Sequence, residues 1–282
     1  MSIADWIEAT MAIETTTSFG TAVIVRRLFE DDGDDDELAD ISIALSEIRR
    51  RKSIAGGVYP FDVDEAGVIR NVLPARVYEF LLLCSLDDSP FRRAKDWASS
   101  SLHFERLARL ALEGLYGIGT TALRFGAPVE GGRPTEFKDA LKWLAAKIGC
   151  QIGRVNTASS GNDGGADIVV WRPFRDGKPV FPVTLAQCTV ARHFENKGED
   201  IRVNRWRAWI LFNRDPQVAL VVPFALGDTS GQWDTLDLDV DLVLDRFRLC
   251  ELLEGADISS WNEVRAIEGW LDTQLGQLRY DS

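Results

Sequence analysis

Apolar residues recur at helical spacing in two segments in the middle of the chain. From Leu102, the spacing predicts a helix that ends at Gly117 and carries its apolar face on Phe104, Leu107, Leu110, Ala111 and Leu115. A second helix is predicted from an N-cap at Thr135 to a stop at Gly149, with its apolar face on Phe137, Ala140, Leu141, Leu144 and Ile148. These two helices open the most regular part of the sequence.

After Gly149 the pattern changes to short apolar runs separated by Gly, Asp and Pro. These runs predict strands at Cys150–Asn156, Ala166–Trp171, Val180–Val190 and Gln217–Phe224, with a helix at Val203–Phe212 before the last strand. The order helix, strand, strand, strand, helix, strand predicts an α/β core.

The sequence divides into three predicted regions. Residues 1–100 are expected to be mainly helical, with a partner-binding or regulatory role by elimination. Residues 101–226 hold the predicted α/β core, and residues 227–282 form an acidic, helical C-terminal region.

Charge is unevenly distributed. The net charge is −12, but Arg172–Arg214 holds nine Lys and Arg against four acids. The run Asp31–Asp40, with seven acids and no base, is predicted to be a solvated mobile loop, and the basic cluster Arg49–Lys52 a solvated helix face. A strongly acidic chain is not expected to coat nucleic acid generally, so a nucleic-acid contact is expected in the basic middle.

Cysteine and histidine content limits the kind of metal site. Four dispersed cysteines and two histidines favour neither zinc nor a disulfide framework, so a metal would rest on oxygen ligands. No apolar run approaches the roughly 18–20 residues that span a bilayer, and no signal peptide is evident, so a cytoplasmic location without membrane contact is expected.

The most informative text is GNDGGADIVVW (Gly161–Trp171), followed by TLAQCTVA (Thr184–Ala191). This pattern resembles the PD-(D/E)XK restriction-endonuclease-like nucleases, and most closely the Mrr-like branch, in which the second-strand acid is paired with Gln-x-Lys. The resemblance spans about residues 100 to 225. It implies a restriction-endonuclease-like core, in which helices flank a central mixed sheet, after a mainly helical N-terminal region.

The resemblance implies a Mg²⁺ (or Mn²⁺) site, because such a cation can neutralise a phosphate and supply a hydroxide. Asp167 would be the main ligand, with Asp163 and Gln187 nearby. Glu105 would supply the acid from a preceding helix, although Glu136 and Asp139 compete for that role. The alternative is that residues 163–167 form only a surface turn whose Asp side chains bond their own backbone.

One position departs from the family pattern. Thr189 stands where family members have the lysine that orients water and stabilises the transition state. Either Lys197 or Arg192 folds back into the site, or the site has lost catalysis and kept its shape. His193 is expected to be a phosphate contact or a surface residue.

The segment Ala191–Trp209 is the predicted DNA-contact surface. Its cations and interleaved aromatics suit phosphates and bases respectively; the cations are Arg192, Lys197, Arg202, Arg205 and Arg207. The alternative for Trp206 and Trp209 is packing of their helix onto the sheet.

Two functions follow from the resemblance. The first is a metal-dependent DNA endonuclease of a bacterial restriction or phage-defence system. The second is an inactive nuclease-fold subunit that binds DNA or scaffolds a partner ATPase or helicase of a defence operon. Self-association into a homo-oligomer stays open.

Overall fold

The structure is a computed structural model. It describes residues 2–29, 34–73, 75–86, 97–154, 164–191, 193–194, 197–227, 233, 236, 240–254, 258 and 261–280. Internal contacts divide the chain into two compact units, one formed by residues 1–103 with 246–282 and the other by residues 104–245. The domain boundaries expected from the sequence, after residues 100 and 226, stay a prediction.

Helices dominate the first unit. They are α1 (Ile3–Glu14), α2 (Thr21–Phe29), α3 (Asp35–Ala55), α4 (Val77–Cys84), the start of α5 (Trp97–Gly114), α8 (Arg246–Leu253) and α9 (Asn262–Tyr280). Helix α4 has every residue buried, which explains its continuous apolar sequence. No helix in the described ranges is both long and apolar enough to cross a membrane.

The first unit also holds a small antiparallel sheet that the sequence did not predict. Strands β1 (Ser18–Gly20), β2 (Phe61–Val63) and β3 (Gly67–Arg70) pair in the order β1-β3-β2. The β2–β3 turn is closed by Asp64, whose carboxylate accepts hydrogen bonds from the amides of Ala66 and Gly67. The Asp and Gly residues of this turn are the sequence feature that could have predicted the sheet. Its strands have only three or four residues, which is too short to show periodicity.

The acidic run is not a loop over its whole length. Asp34 caps α3 through a reciprocal capping box with Glu37, so the acids from Asp35 onward occupy the first turns of a helix. Carboxylates there complement the positive end of the helix dipole. The prediction of a mobile loop is therefore wrong for Asp35–Asp40, and Asp31–Gly33 lie outside the described residues.

The second unit is built on a five-stranded mixed sheet. Its strands are β4 (Thr121–Arg124), β6 (Ile168–Trp171), β7 (Val183–Cys188), β9 (Gln217–Val221) and β10 (Leu242–Leu244), in the order β10-β9-β7-β6-β4. β6 pairs antiparallel with β4 and β7, whereas β9 pairs parallel with β7 and β10. A separate pair joins β5 (Gln151–Ile152) to β8 (Ile210–Leu211).

Helices α6 (Phe137–Ile148) and α7 (Val203–Trp209) pack their apolar residues into the sheet. The shared core includes Leu141 and Leu144 from α6 and Val169 and Leu185 from the sheet. The predicted fold class, an α/β core with a central mixed sheet and helices around it after a mainly helical N-terminal region, is confirmed.

Several details of the second unit differ from expectation. The stretch between the two predicted helices contains β4, an edge strand that the sequence did not predict and that is the next element after α5. The N-cap of α6 is Glu136, which makes no side-chain capping bond, and not Thr135. Helix α7 ends at Trp209 because the chain becomes extended at Ile210 and enters β8.

Candidate active site

Asp167 lies at the point where β6 begins, between its two neighbouring strands. Its amide donates to the carbonyl of Ala186 at 2.9 Å, and its own carbonyl accepts from the amides of Phe125 (2.6 Å) and Gly126 (3.1 Å). The backbone of Asp167 is thus tied to β7 and to the segment that continues β4, which fixes the position of its side chain.

The turn before Asp167 depends on two consecutive glycines. Gly164 and Gly165 have φ values of 66° and 84°, the left-handed region that glycine adopts without strain. A Cβ on Gly165 would lie 2.2 Å from the carbonyl oxygen of Asp200. The sequence pattern predicted a tight turn at these glycines, and the close approach of Asp200 adds a second reason for glycine.

The carboxylate of Asp167 is held by the end of β7. Oδ2 accepts a 2.8 Å hydrogen bond from the amide of Cys188, at the end of β7. A Cβ placed on Gly126 would lie 2.9 Å from Oδ1 of Asp167 and 3.5 Å from Oε2 of Glu105. Two carboxylates, one from the sheet and one from α5, therefore approach the same point, and glycine leaves room for both.

Arg124, the last residue of β4, is the buried cation beside these acids, and sequence reasoning missed it. Its Nε lies 2.9 Å from Glu105 Oε2 and 3.5 Å from Glu130 Oε1, and its side chain is 1% exposed. Nη1 donates to the carbonyls of Pro128 (2.6 Å) and Gly126 (3.3 Å). The sequence feature that could have identified it is a single arginine between Leu123 and Phe125, at a position where an apolar residue is expected.

Ion pairs link carboxylates and arginines beside the candidate site. Glu130 also pairs with Arg106 at 2.8 Å. Arg124 and Arg106 therefore face two of the nearby carboxylates, those of Glu105 and Glu130, through these contacts. A cation bound next to Asp167 would compete with Arg124 for Glu105.

The same surroundings shift the pKa of the Cys188 thiol. Burial raises its pKa well above the ordinary value, the negative charges of Asp167 and Glu105 raise it further, and Arg124 opposes them. The thiol is therefore protonated near neutral pH, and it acts as a small buried side chain and not as a thiolate ligand.

Gln187 and Thr189 lie near the end of β7, next to the segment that carries Asp167. Gln187 lies on the β7 face that Val183 and Leu185 share, and its side-chain amide donates to the Cys188 carbonyl at 3.4 Å. Thr189 follows the end of β7, and its hydroxyl accepts from the amide of Ala191 at 3.1 Å. Thr189 thus stabilises a local turn and supplies no charge.

The candidates for the missing lysine are only partly described. Lys197 begins a 3₁₀ turn, is about half exposed and pairs with Asp200 at 3.2 Å, three residues along. This ion pair holds the Lys197 ammonium on the 3₁₀ turn. The carbonyl of Asp200, in the same turn, contacts Gly165. Arg192 and Asp163, predicted as a cation and a metal ligand, lie outside the described residues.

In the predicted DNA-contact segment, the described cations are exposed or half-exposed, whereas the described aromatics are buried. Arg202 is the N-cap of α7, Arg205 is exposed, and Arg207 pairs with Asp215 at 3.0 Å. Trp206 and Trp209 are buried, and Trp206 Nε1 donates to the Gly164 carbonyl at 3.0 Å. Base stacking on these tryptophans is therefore wrong, and packing of α7 onto the sheet is correct.

Phe194, also interleaved with those cations, is 3% exposed and stacks on Phe224 with ring centroids 5.1 Å apart. It belongs to the core and is not available to a nucleic acid. His193, next to it, is exposed.

The competing helix acids lie on α6. Asp139 is exposed and forms an ion pair with Lys142 at 2.8 Å, and Glu136 caps the helix through its backbone. Glu105 is the candidate whose carboxylate is near Asp167. The sequence could not decide between them because β4, the first strand of the sheet, was not recognised between α5 and α6.

The carboxylate oxygens at the candidate site suit Mg²⁺. This ion prefers oxygen ligands and is usually held by one or two carboxylates with several waters, and Asp167 and Glu105 offer such a pair. Within the described residues, no group of three or more His, Cys, Asp or Glu side chains is gathered around one point. A cation here would thus keep much of its hydration.

Comparisons with known proteins give little beyond this geometry. No family model and no curated protein matches the sequence. A solved structure, the MspJI restriction endonuclease in complex with a 27-mer oligonucleotide, is similar with a TM-score of 0.34 and 13% identity, over 74% of this chain. The chain spans 40% of the length of that protein. A TM-score this low carries no functional information, so the function of the site has to be inferred from its own residues.

Proposed function

We propose that this chain is a nuclease-fold protein that hydrolyses phosphodiester bonds of DNA with Mg²⁺ or Mn²⁺ bound at Asp167 and Glu105. The observation that carries the proposal is the approach of both carboxylates to Gly126, at the sheet end where the sequence pattern of Gly161–Trp171 suggested a metal ligand. The cation would polarise the phosphate and activate a water molecule.

Each nearby residue has a defined task in this proposal. The Cys188 amide holds Oδ2 of Asp167, so the carboxylate is oriented before a cation binds. Arg124 holds Glu105 in place through the 2.9 Å contact between Nε and Oε2. Arg124 itself is too buried to reach a phosphate, so the exposed Lys197 is the candidate for that contact.

The finer assignment rests on the sequence pattern alone. The Mrr-like branch of the PD-(D/E)XK nucleases implies a role in bacterial restriction or phage defence, and a helicase or ATPase from the same system as a partner.

The proposal is tested by incubating supercoiled plasmid and linear single-stranded DNA with the purified chain in Mg²⁺ or Mn²⁺. Asp167→Asn keeps an oxygen to accept the Cys188 amide but loses the charge, so we expect a folded protein whose cleavage falls to the level of an EDTA control. Glu105→Gln should reduce cleavage in the same way. Metal-dependent cleavage that Asp167→Asn leaves unchanged would refute the proposal.

A matched control is Asp139→Asn, which removes an exposed carboxylate from the competing helix. We expect it to cleave at the wild-type rate. If Asp139→Asn abolished cleavage and Glu105→Gln did not, the helix acid would have been assigned to the wrong helix.

A second function, an inactive DNA-binding or scaffolding subunit, is favoured by two observations. Thr189 is neutral and occupied by a local turn, and Arg124 already supplies Glu105 with a positive charge. An inactive site of this kind would hold its shape through the arginine instead of a metal. DNA binding without cleavage in either metal, together with no Mn²⁺ binding, would support this second function.

A further inference from the structure

A groove on the second unit lies at the opposite end of the β6–β7 pair from Asp167. Asp167 precedes β6 and contacts the end of β7, whereas the groove is bordered by the connection that runs from the end of β6 to the start of β7. Four strand residues separate these ends, roughly 13 Å. The groove is therefore not part of the candidate active site.

Its main cavity measures about 680 Å³, within the range of ligand-binding sites. A neighbouring cavity of about 570 Å³ is also lined by Leu211, Phe212 and Asn213, and the two adjacent cavities together are called the groove. The remaining walls come from the end of α6 and from the β6–β7 connection.

The groove is positively charged on a protein whose net charge is −12. Its lining residues include four cations, Lys147, Lys178, Arg207 and Arg214, and one acid, Asp215. Asp215 pairs with Arg207 at 3.0 Å, which leaves the other three cations without an acid among the lining residues. This charge suits a polyanion.

Exposed aromatic surface accompanies the charge. Phe174 lines the groove and is 53% exposed, an unusual exposure for a large apolar ring. The guanidinium of Arg172 lies 5.0 Å from its ring centroid. A ring exposed beside cations is what an unpaired base stacks on while its phosphates are neutralised.

We infer that this groove binds single-stranded DNA, with a base stacked on Phe174 and phosphates held by Lys147 and Lys178. A duplex would expose no base face to the ring, and an acidic peptide would use the cations but not the phenyl ring. The inference goes beyond the proposed hydrolysis and does not require it, because binding here needs neither Asp167 nor a metal.

The test is fluorescence anisotropy with a fluorescein-labelled oligothymidine 20-mer in EDTA, so that no cleavage occurs. Phe174→Ala should weaken binding about 5- to 150-fold, the loss of one to three kcal/mol of stacking. Phe174→Trp should retain or improve it. Ile118→Ala, at an exposed apolar residue outside the lining, is the control and should bind as wild type does.

The two lysines are tested by salt dependence. Lys147→Gln with Lys178→Gln should lower the slope of log affinity against log salt by roughly 1.4, about 0.7 for each phosphate that the protein no longer neutralises. Lys142→Gln, on the same helix as Lys147 but paired with Asp139, should leave the slope unchanged.

Three results would overturn the inference: no oligonucleotide binding, equal binding by Phe174→Ala, or tighter Phe174-dependent binding of a polyglutamate peptide. Asp167→Asn separates this inference from the proposed function. If Asp167→Asn abolishes cleavage but binds the oligonucleotide normally, both stand, whereas oligonucleotide binding without any cleavage activity supports the groove alone.

Discussion

Each unit of the molecule buries arginines against carboxylates, but the two clusters are built differently. In the first unit, Arg51 and Arg246 face Asp5 and Glu8: Arg51 lies 2.9 Å from Asp5 and 3.0 Å from Glu8, and Arg246 lies 3.1 Å from Asp5. Arg51 and Arg50 also pair with Glu47, so three cations meet three acids in this cluster. In the second unit, the carboxylates of Asp167 and Glu105 both approach Gly126.

The remaining polar atoms of the first cluster are also occupied. Glu8 accepts from the hydroxyls of Tyr59 (2.5 Å) and Tyr78 (2.9 Å), and Arg246 donates to Ser85 at 2.6 Å. A balanced, fully bonded cluster has no capacity for a ligand, so its role is to hold α8 to the N-terminal helices. The approach of two carboxylates, those of Asp167 and Glu105, to one glycine is what distinguishes the candidate site from this structural network.

The largest expected effect comes from the structural cluster. Arg246→Met leaves Asp5 and Glu8 buried with one cation in place of two, and we expect a loss of about 3–5 kcal/mol of unfolding free energy. Urea denaturation measures it. Arg248→Met, two residues along and exposed, is the control and should change stability by about 0.5 kcal/mol or less. Equal effects would show that the buried charge is not important.

The next largest effect on stability is expected at Gly165, in the turn that positions Asp167. In Gly165→Ala, the methyl group would meet the Asp200 carbonyl 2.2 Å away, so we expect a loss of about 2–3 kcal/mol. Gly177→Ala has a similar φ of 64° but no atom within 4 Å, and should lose only about 1 kcal/mol. A thermal melt of both variants separates the clash from the conformational cost, and equal losses would argue against the contact.

The contribution of Asp5 to the stability of the first cluster should be present at neutral pH and lost at acidic pH. Burial raises the pKa of Asp5, but Arg246 and Arg51 outweigh it and hold that pKa well below its usual range. A lowered folded-state pKa contributes stability above the unfolded pKa of about 3.9, and that stability is lost as the pH falls further. Asp5→Asn should cost on the order of 2 kcal/mol at pH 7 and progressively less below about pH 4.

Glu8 behaves in the opposite sense, because burial raises its pKa and the folded state favours its protonated form. Urea midpoints of wild type and Asp5→Asn across the pH range isolate the Asp5 contribution, since both proteins contain Glu8. A difference between them that stays constant down to pH 2 would contradict the assignment.

The smallest expected effect on stability is at Gly126, where we expect a functional change instead. Gly126→Ala places a methyl group 2.9 Å from Asp167 Oδ1, and we expect Mn²⁺ affinity to fall about tenfold or more with little unfolding. Gly227→Ala, where a Cβ meets nothing within 4 Å, should leave Mn²⁺ affinity unchanged. Unaltered affinity in Gly126→Ala would place the metal elsewhere.

Sequence periodicity was sufficient for the α/β core and for the glycine turn before Asp167. It failed for β4, because four residues at a sheet edge carry little periodic signal, and that omission left the choice among Glu105, Glu136 and Asp139 open. It also took Arg51 for part of a solvated face. Its burial depends on Asp5 and Glu8 from another helix, and the local sequence contains no information about such distant pairing.

The most direct test of the central claim is Mn²⁺ binding measured by isothermal titration calorimetry, without DNA, on wild type, Asp167→Asn and Arg248→Met. We expect one Mn²⁺ per chain in wild type and in Arg248→Met, and loss of that binding in Asp167→Asn with its thermal melt preserved. No binding by wild type, or equal binding by Asp167→Asn, would contradict the claim that Asp167 and Glu105 form a metal site.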